Sequence, residues 1–276
     1  MFTIEHISSL DLLELQPYRT MRRQMEHREQ GIFVAEGEKV VRRLLESKFG
    51  VVSALLPQRW LAELEPLLKQ RPEMVRVFVA EKELLETLTG YSMYQGLLAV
   101  GRIPTQIPLE QILGDSPRPH LLVALDELAN AENLGALVRN CTAFGTQALI
   151  VGETSSSPFL RRAVRSSMGT VFELPIVETS DLIRCLSGLR DGGIRCIAAH
   201  PHAEKRTLSD ANFTHDCCIV FGSEGHGISQ RVLAVCDDAV AIPMPPTVDS
   251  LNVGSAAAVF LYEAKRQRTN KHVAVE

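Results

Sequence analysis

Six short apolar runs constrain the second half of this chain more than any other feature: LLVALD at 121–126, ALIVG at 148–152, VFELPIV at 171–177, CIAAH at 196–200, CCIVFG at 217–222 and AVAIP at 239–243. Each lacks the polar alternation of a half-solvated strand, so each reads as a strand buried on both faces, the pattern of a parallel sheet. Between them lie segments of helical period, notably 133–144 and 255–265. Strand and helix in turn predict a doubly wound α/β domain. In such sheets ligands collect outside the carboxyl ends of the strands. Chemistry is therefore expected just after each run.

The stretch 103–119 carries Pro104, Pro108, Pro117 and Pro119. Proline blocks helix interiors and sheet ladders, so this reads as a linker with room for one short helical turn. The expected organisation is a domain at 1–103, a linker at 104–119 and a second domain at 120–276. The first region also alternates, with helical periods at 38–45, 60–68 and 81–88 and strand-like runs at 51–56, 75–79 and 97–100. A smaller parallel or mixed α/β sheet follows. No catalytic constellation is visible in it.

No run approaches the roughly 18 apolar residues of a membrane span. The opening MFTIEHISSLDLLELQ lacks a basic segment followed by an uninterrupted apolar one, so no export signal is expected. The six cysteines show neither a C-x-x-C pair nor metal-type spacing; reduced thiols in a cytoplasmic, metal-free protein are the reading. A net charge of −4 does not advertise nucleic acid. Positive charge is nonetheless clustered: Arg19, Arg22, Arg23, Arg28, Lys39, Arg42, Arg43 and Lys48 among glutamates, then Arg161, Arg162 and Arg165, then Lys265, Arg266, Arg268 and Lys271. For any one cluster alone, a solvated face is the ordinary explanation.

Three strand-following segments could hold chemistry. In the first, Asn133 suits a helix N-cap, and Leu134, Leu137, Val138, Cys141 and Phe144 share one face before Gly145. At about 100° per residue Arg139 points away from that stripe, as a solvated residue would. The second is Phe221-Gly222-Ser223-Glu224-Gly225-His226-Gly227-Ile228-Ser229. Its glycines suit either a tight turn or backbone brought close to a ligand. Their order, G-x-x-G-x-G, is not the dinucleotide fingerprint, and Ser223 is not flanked as a hydrolase nucleophile is. The third runs from Ile242, Pro243 and Met244 through Ser250, Leu251 and Asn252 into small residues at 254–258. Asn252 suits the cap of the helix opening there, and the small residues let another helix approach closely.

In this order N-L-G-x-x-x-R (133–139), F-G-S-E-G-x-G-I-S (221–229) and I-P-M-x(5)-S-L-N-V-x-x-A-A-A (242–258) resemble the three signature segments of the SpoU (TrmH) family in the SPOUT superfamily of methyltransferases. FVAEGEKVVRRLLES and QGLLAV are similar to that family's small substrate-binding domain, which is related to an RNA-binding ribosomal-protein fold. The resemblance covers roughly residues 18–268.

It implies a C-terminal SPOUT domain with a parallel sheet and a deep trefoil knot, a rare exception to unthreaded topology. It also implies a homodimer with shared active sites, acting on structured RNA with neither membrane nor DNA as partner. The expected reaction is transfer of a methyl group from S-adenosyl-L-methionine to a ribose 2′-hydroxyl in tRNA or rRNA. Carried over by position, Asn133, Arg139, Glu224, Ser250 and Asn252 are the catalytic candidates. Phe221, Gly222, Ser223, Gly225, Gly227, Ile242, Pro243, Met244, Leu251 and Asn252 would hold the cofactor. Phosphate neutralisation falls to Arg22, Arg23, Arg161, Arg162 and Arg165, and His226 reads as a variable loop residue. The family's proposed mechanism places the arginine near the 2′-hydroxyl and adjacent phosphate, assisting proton removal. Because a guanidinium resists deprotonation, charge stabilisation and phosphate clamping by Arg139 are easier to defend than its acting as a base. The competing reading is an RNA-binding protein that keeps the fold without the chemistry; the presence of all five polar positions weighs against it.

Overall fold

The computed structural model describes residues 1–89, 96–203 and 206–270. Along the chain come β1 Phe2–His6, α1 Gln16–Arg19, α2 Gln24–Glu29, β2 Ile32–Glu36, α3 Glu38–Glu46, β3 Val51–Leu56, α4 Gln58–Gln70, β4 Val75–Val79, α5 Lys82–Thr89 and β5 Leu98–Arg102. Then follow α6 Leu109–Asp115, β6 Leu121–Leu125, α7 Ala131–Phe144, β7 Ala148–Val151, α8 Arg161–Ser166 and β8 Ile176–Glu178. The last are α9 Leu182–Asp191, β9 Arg195–Ala199, β10 Cys217–Phe221, α10 Gln230–Leu233, β11 Asp238–Val240 and α11 Val253–Asn270. They form two compact units, Met1–Thr105 with Pro158–Glu173, and Gln106–Ser157 with Leu174–Glu276.

The first unit is a mixed sheet in the order β1-β4-β3-β5-β2. Strands β1, β4 and β3 run parallel, and β5 is antiparallel to both β3 and β2. Edge strand β1, strand β2 and helices α1 and α2 lie outside the sequence reading. In β1 only Phe2 is even half-buried, so no apolar alternation marks it. The segment Pro158–Glu173 is built into this unit although it sits in sequence between β7 and β8. Its Phe172 stacks on Phe33 of β2 with ring centroids 5.5 Å apart, and Phe159 lies 5.8 Å from the same ring. Arg161 and Arg165 both pair with Glu36, whose side chain is 6% exposed. Arg43 donates to the Met168 carbonyl at 2.9 Å.

This placement differs from a single cut at the linker, and it corrects the strand expected at 171–177. Val171 and Phe172 belong to a 3-10 turn, Thr170–Phe172, and the strand is only Ile176–Glu178. Their apolar character serves the aromatic cluster around Phe33, which periodicity cannot tell from strand burial.

The second unit is a six-stranded sheet in the order β11-β9-β10-β6-β7-β8, every neighbouring pair parallel. Winding runs outward from β6 through β7 to β8, then restarts on the other side with β9. The reversal therefore falls between β6 and β10, where a doubly wound sheet opens a crevice. Helix α11 packs on α7 through the small residues read from the sequence. Asn140 Nδ2 donates to the Gly254 carbonyl at 2.7 Å, and a Cβ on Gly254 would stand 3.3 Å from that of Ala136.

Of the third basic cluster, Arg268 is no solvated charge. It donates to the carbonyls of Phe213, Pro119, His120 and His215, fastening α11 near the starts of β6 and β10. Lys271 lies outside the described residues. All six cysteines are unpaired thiols, and Cys217 and Cys218 are buried. Among the described residues no helix is long and apolar enough to cross a membrane, and no group of three His, Cys, Asp or Glu residues could hold a metal.

Candidate active site at the strand ends

Helix α7 begins three residues earlier than its expected cap. Asn130 is the N-cap, its Oδ1 accepting from the backbone N–H of Glu132 (2.9 Å) and Asn133 (3.1 Å). That correction gives Asn133 a different task, because its side chain is not spent on the helix end. Asn133 Nδ2 donates to Glu224 Oε1 at 2.5 Å, and its Oδ1 accepts from Asn252 Nδ2 at 2.9 Å. Asn252 Oδ1 in turn accepts the Gly254 N–H at 2.9 Å and caps α11, as its position suggested. The cap fixes which way the Asn252 amide faces, Asn252 then fixes Asn133, and Asn133 can only donate to Glu224. One directional chain thus joins the first turn of α7 to residues 91 and 119 positions further along the sequence.

The glycine loop that carries Glu224 is closed on itself. Ser223 N–H donates to the Gly227 carbonyl at 2.9 Å, and Gly227 N–H donates back at 3.0 Å. Gly227 has φ +68°, a left-handed value that glycine adopts without steric cost. Gly222 is required for a different reason: a Cβ there would lie 2.1 Å from the carbonyl carbon of Gly227. Buried Asp126, just past β6, accepts the Ser229 N–H at 2.7 Å and so ties this loop to the neighbouring strand. Replacing Gly222 with alanine should force the loop open. A folded protein with unchanged circular dichroism and at least tenfold weaker S-adenosylhomocysteine binding by calorimetry is the expected result; unchanged affinity would show that loop closure is unimportant.

A cavity of about 390 Å³ lies past the ends of β9, β10 and β11. Of the residues expected to hold a cofactor, Phe221, Gly222, Ser223, Gly225, Gly227, Ile242, Met244 and Leu251 line it, whereas Pro243 and Asn252 do not. Of the catalytic candidates, Glu224 and Ser250 line it. Asn133 and Asn252 reach it through Glu224. Arg139 is outside the lining, exposed on α7, with no ion pair or hydrogen bond to the described residues. His226 lines the cavity too.

Sequence reasoning missed His200, Pro201, His202 and Asp249, which complete the wall. No glycine pattern marks the end of β9, but the strand-end rule applied to that run as well would have found His200. Loss of water, reinforced by neighbouring His202, holds the His200 pKa below the usual histidine value. Its imidazole is therefore neutral at neutral pH.

The arginines expected to meet phosphate belong to the first unit and differ in availability. Arg161 is 15% exposed and committed to Glu36, and Arg165, 55% exposed, shares that partner. Arg162 and Arg22 are exposed. Arg23 is exposed as well and pairs with Glu26 at 3.1 Å.

Comparison with known proteins bears on this site. The profile of the SpoU rRNA Methylase family matches residues 120–262. An uncharacterised tRNA/rRNA methyltransferase of Mycobacterium tuberculosis is 31% identical over 250 residues, spanning 88% of this chain and 83% of that protein. The crystal structure of the SpoU methyltransferase AviRb from Streptomyces viridochromogenes with the cofactor AdoMet superposes with a TM-score of 0.80 at 25% identity, covering 94% of this chain and 98% of that one. A crystal structure of an RNA 2′-O ribose methyltransferase gives a TM-score of 0.77 at 26% identity, covering 98% and 100%.

Proposed function

Since the chain belongs to the SpoU rRNA methylase family, we propose that it moves the methyl group of S-adenosyl-L-methionine onto a ribose 2′-hydroxyl in tRNA or rRNA. The observation that carries this reading is the convergence of Glu224, Asn133 and Asn252, from three segments far apart in sequence, at the edge of one cavity.

The cavity fits such a cofactor on its own terms. Its volume falls in the range of small-molecule sites, and its wall is apolar at Phe221, Val240, Ile242, Met244 and Phe260. Carboxylates stand at Glu224 and Asp249, of a sign suited to a sulfonium, and the open backbone of the glycine loop suits the amino-acid end. The Nδ1 atom of His200 is cut off from water and has no partner among the described residues, so a polar ligand could supply its hydrogen bond. When bound, S-adenosylmethionine supplies a methyl group already activated on sulfur.

The protein is left with positioning and electrostatics. Its apolar wall excludes water from the reacting centre. Asn133, itself oriented by Asn252, holds the Glu224 carboxylate at the cavity edge, and Ser250 lines the same cavity. Arg139 clamps a backbone phosphate and stabilises the negative charge that develops on the 2′-oxygen as its proton passes to solvent and the oxygen bonds the methyl carbon. This reading includes the family's trefoil knot and a cytoplasmic homodimer in which Arg139 of one subunit completes the site of the other. An exposed Arg139 without a hydrogen-bond or ion-pair partner among the described residues supports that arrangement. The N-terminal unit would select the RNA by its shape.

The test is tritium transfer from labelled S-adenosylmethionine into several RNA pools, followed by mapping positions protected from alkaline cleavage. Protection at discrete riboses is expected. Label on bases would overturn the 2′-hydroxyl assignment, and tight RNA binding with no transfer would overturn the enzymatic one.

A further inference from the structure

Neither the glycine loop nor the segment 242–258 accounts for the wall of the cavity formed at the end of β9. His200 sits at that strand end, held by its backbone N–H donating to the Val240 carbonyl at 3.0 Å and by the turn that Ala203 N–H closes onto its own carbonyl at 3.2 Å. The ring is half-buried, with His202 edge-on at 5.9 Å between centroids. Its Nδ1 is shielded from water and has no hydrogen-bond partner among the described residues. An imidazole nitrogen shielded from water and left without a partner is costly, because it forfeits its hydrogen bond to water. Other ionisable groups on the cavity wall are His202, Glu224, His226 and Asp249. None of them is hydrogen-bonded to His200.

We propose that His200 is a further cofactor-binding residue, which hydrogen-bonds a polar group of S-adenosylmethionine through its neutral imidazole. This rests on the functional reading above. Turning the ring about Cβ–Cγ exchanges the Nδ1 and Cδ2 edges, so either nitrogen can be offered to the cavity. The pKa held low by desolvation keeps the imidazole uncharged, so it does not repel the sulfonium.

Calorimetric titration of the full chain with S-adenosylhomocysteine tests this, using the wild type and H200A, H200N and H200Q, each with its melting temperature. Asparagine places an amide near the position of Nδ1 and glutamine near that of Nε2. H200A should bind roughly five- to tenfold more weakly, and one of the two amides should recover most of the loss. Should H200A melt early, H200F keeps a flat ring without nitrogen and carries the same comparison. Wild-type affinity in H200A or H200F overturns the proposal, and so does a loss that neither amide repairs, since that is a packing effect. A wild-type chain that binds neither S-adenosylmethionine nor S-adenosylhomocysteine overturns the functional reading itself, and this proposal with it.

Discussion

Arg139→Ala should lower methyl transfer to RNA by roughly 10²–10³-fold, the usual effect of deleting one group that stabilises charge in the transition state, while leaving S-adenosylhomocysteine affinity and melting temperature unchanged. The separation of effects follows from where the residue stands. Arg139 is exposed on α7, outside the cavity lining and without a partner among the described residues, so its loss removes neither a core contact nor a cofactor contact. Lysine at this position should recover little. It keeps the charge but not the planar fork that meets a phosphate bidentately. Mixing Arg139→Ala with an Asn133→Ala variant adds a further readout. If subunits share sites, the mixed population should regain part of the activity that each variant lacks. A parallel fall in cofactor affinity and melting temperature would make Arg139 structural and remove it from the chemistry.

Glu36→Ala should destabilise the first unit by about 3 kcal/mol, the cost of removing one partner from a buried ion pair. Arg161, at 15% side-chain exposure, would be left buried beside nothing of opposite charge, whereas Arg165, at 55%, can turn to water. The estimate therefore rests on one arginine. Trp60 is the chain's only tryptophan and lies in α4 of the first unit, so its fluorescence in urea follows that unit. An unfolding midpoint within experimental error of the wild type would show that Glu36 is replaceable. Double replacement of Glu36 and Arg161 by apolar residues should cost less than Glu36→Ala alone, because no charge is then stranded.

The parallel sheet of the second unit was legible because burial on both faces leaves an unbroken apolar run, and LLVAL and CCIVF could be little else. The three polar loops were legible by the strand-end rule and by family resemblance. What escaped had local causes. Asn130 and Asn133 are equally good caps in isolation, and only Glu224 and Asn252, far along the chain, decide between them. Strand β1 is an exposed edge and so carries no apolar alternation. Phe172 looked like strand because its burial is real, but the ring that buries it, Phe33, lies far earlier in the chain, and both belong to the first unit. Arg161 looked like a phosphate ligand, since nothing in RRAVR reveals that a carboxylate 125 residues earlier claims it.

The excursion of Pro158–Glu173 sets a limit on how this protein can be taken apart. A fragment ending at Thr105 would keep Phe33 and Glu36 but lose the rings and guanidinium that cover them, and a fragment beginning at Gln106 would carry those groups with nowhere to bury them. Neither severed half is a self-sufficient module. A swap of specificity between relatives would have to exchange two stretches of sequence at once, because the first unit is encoded on both sides of β6 and β7.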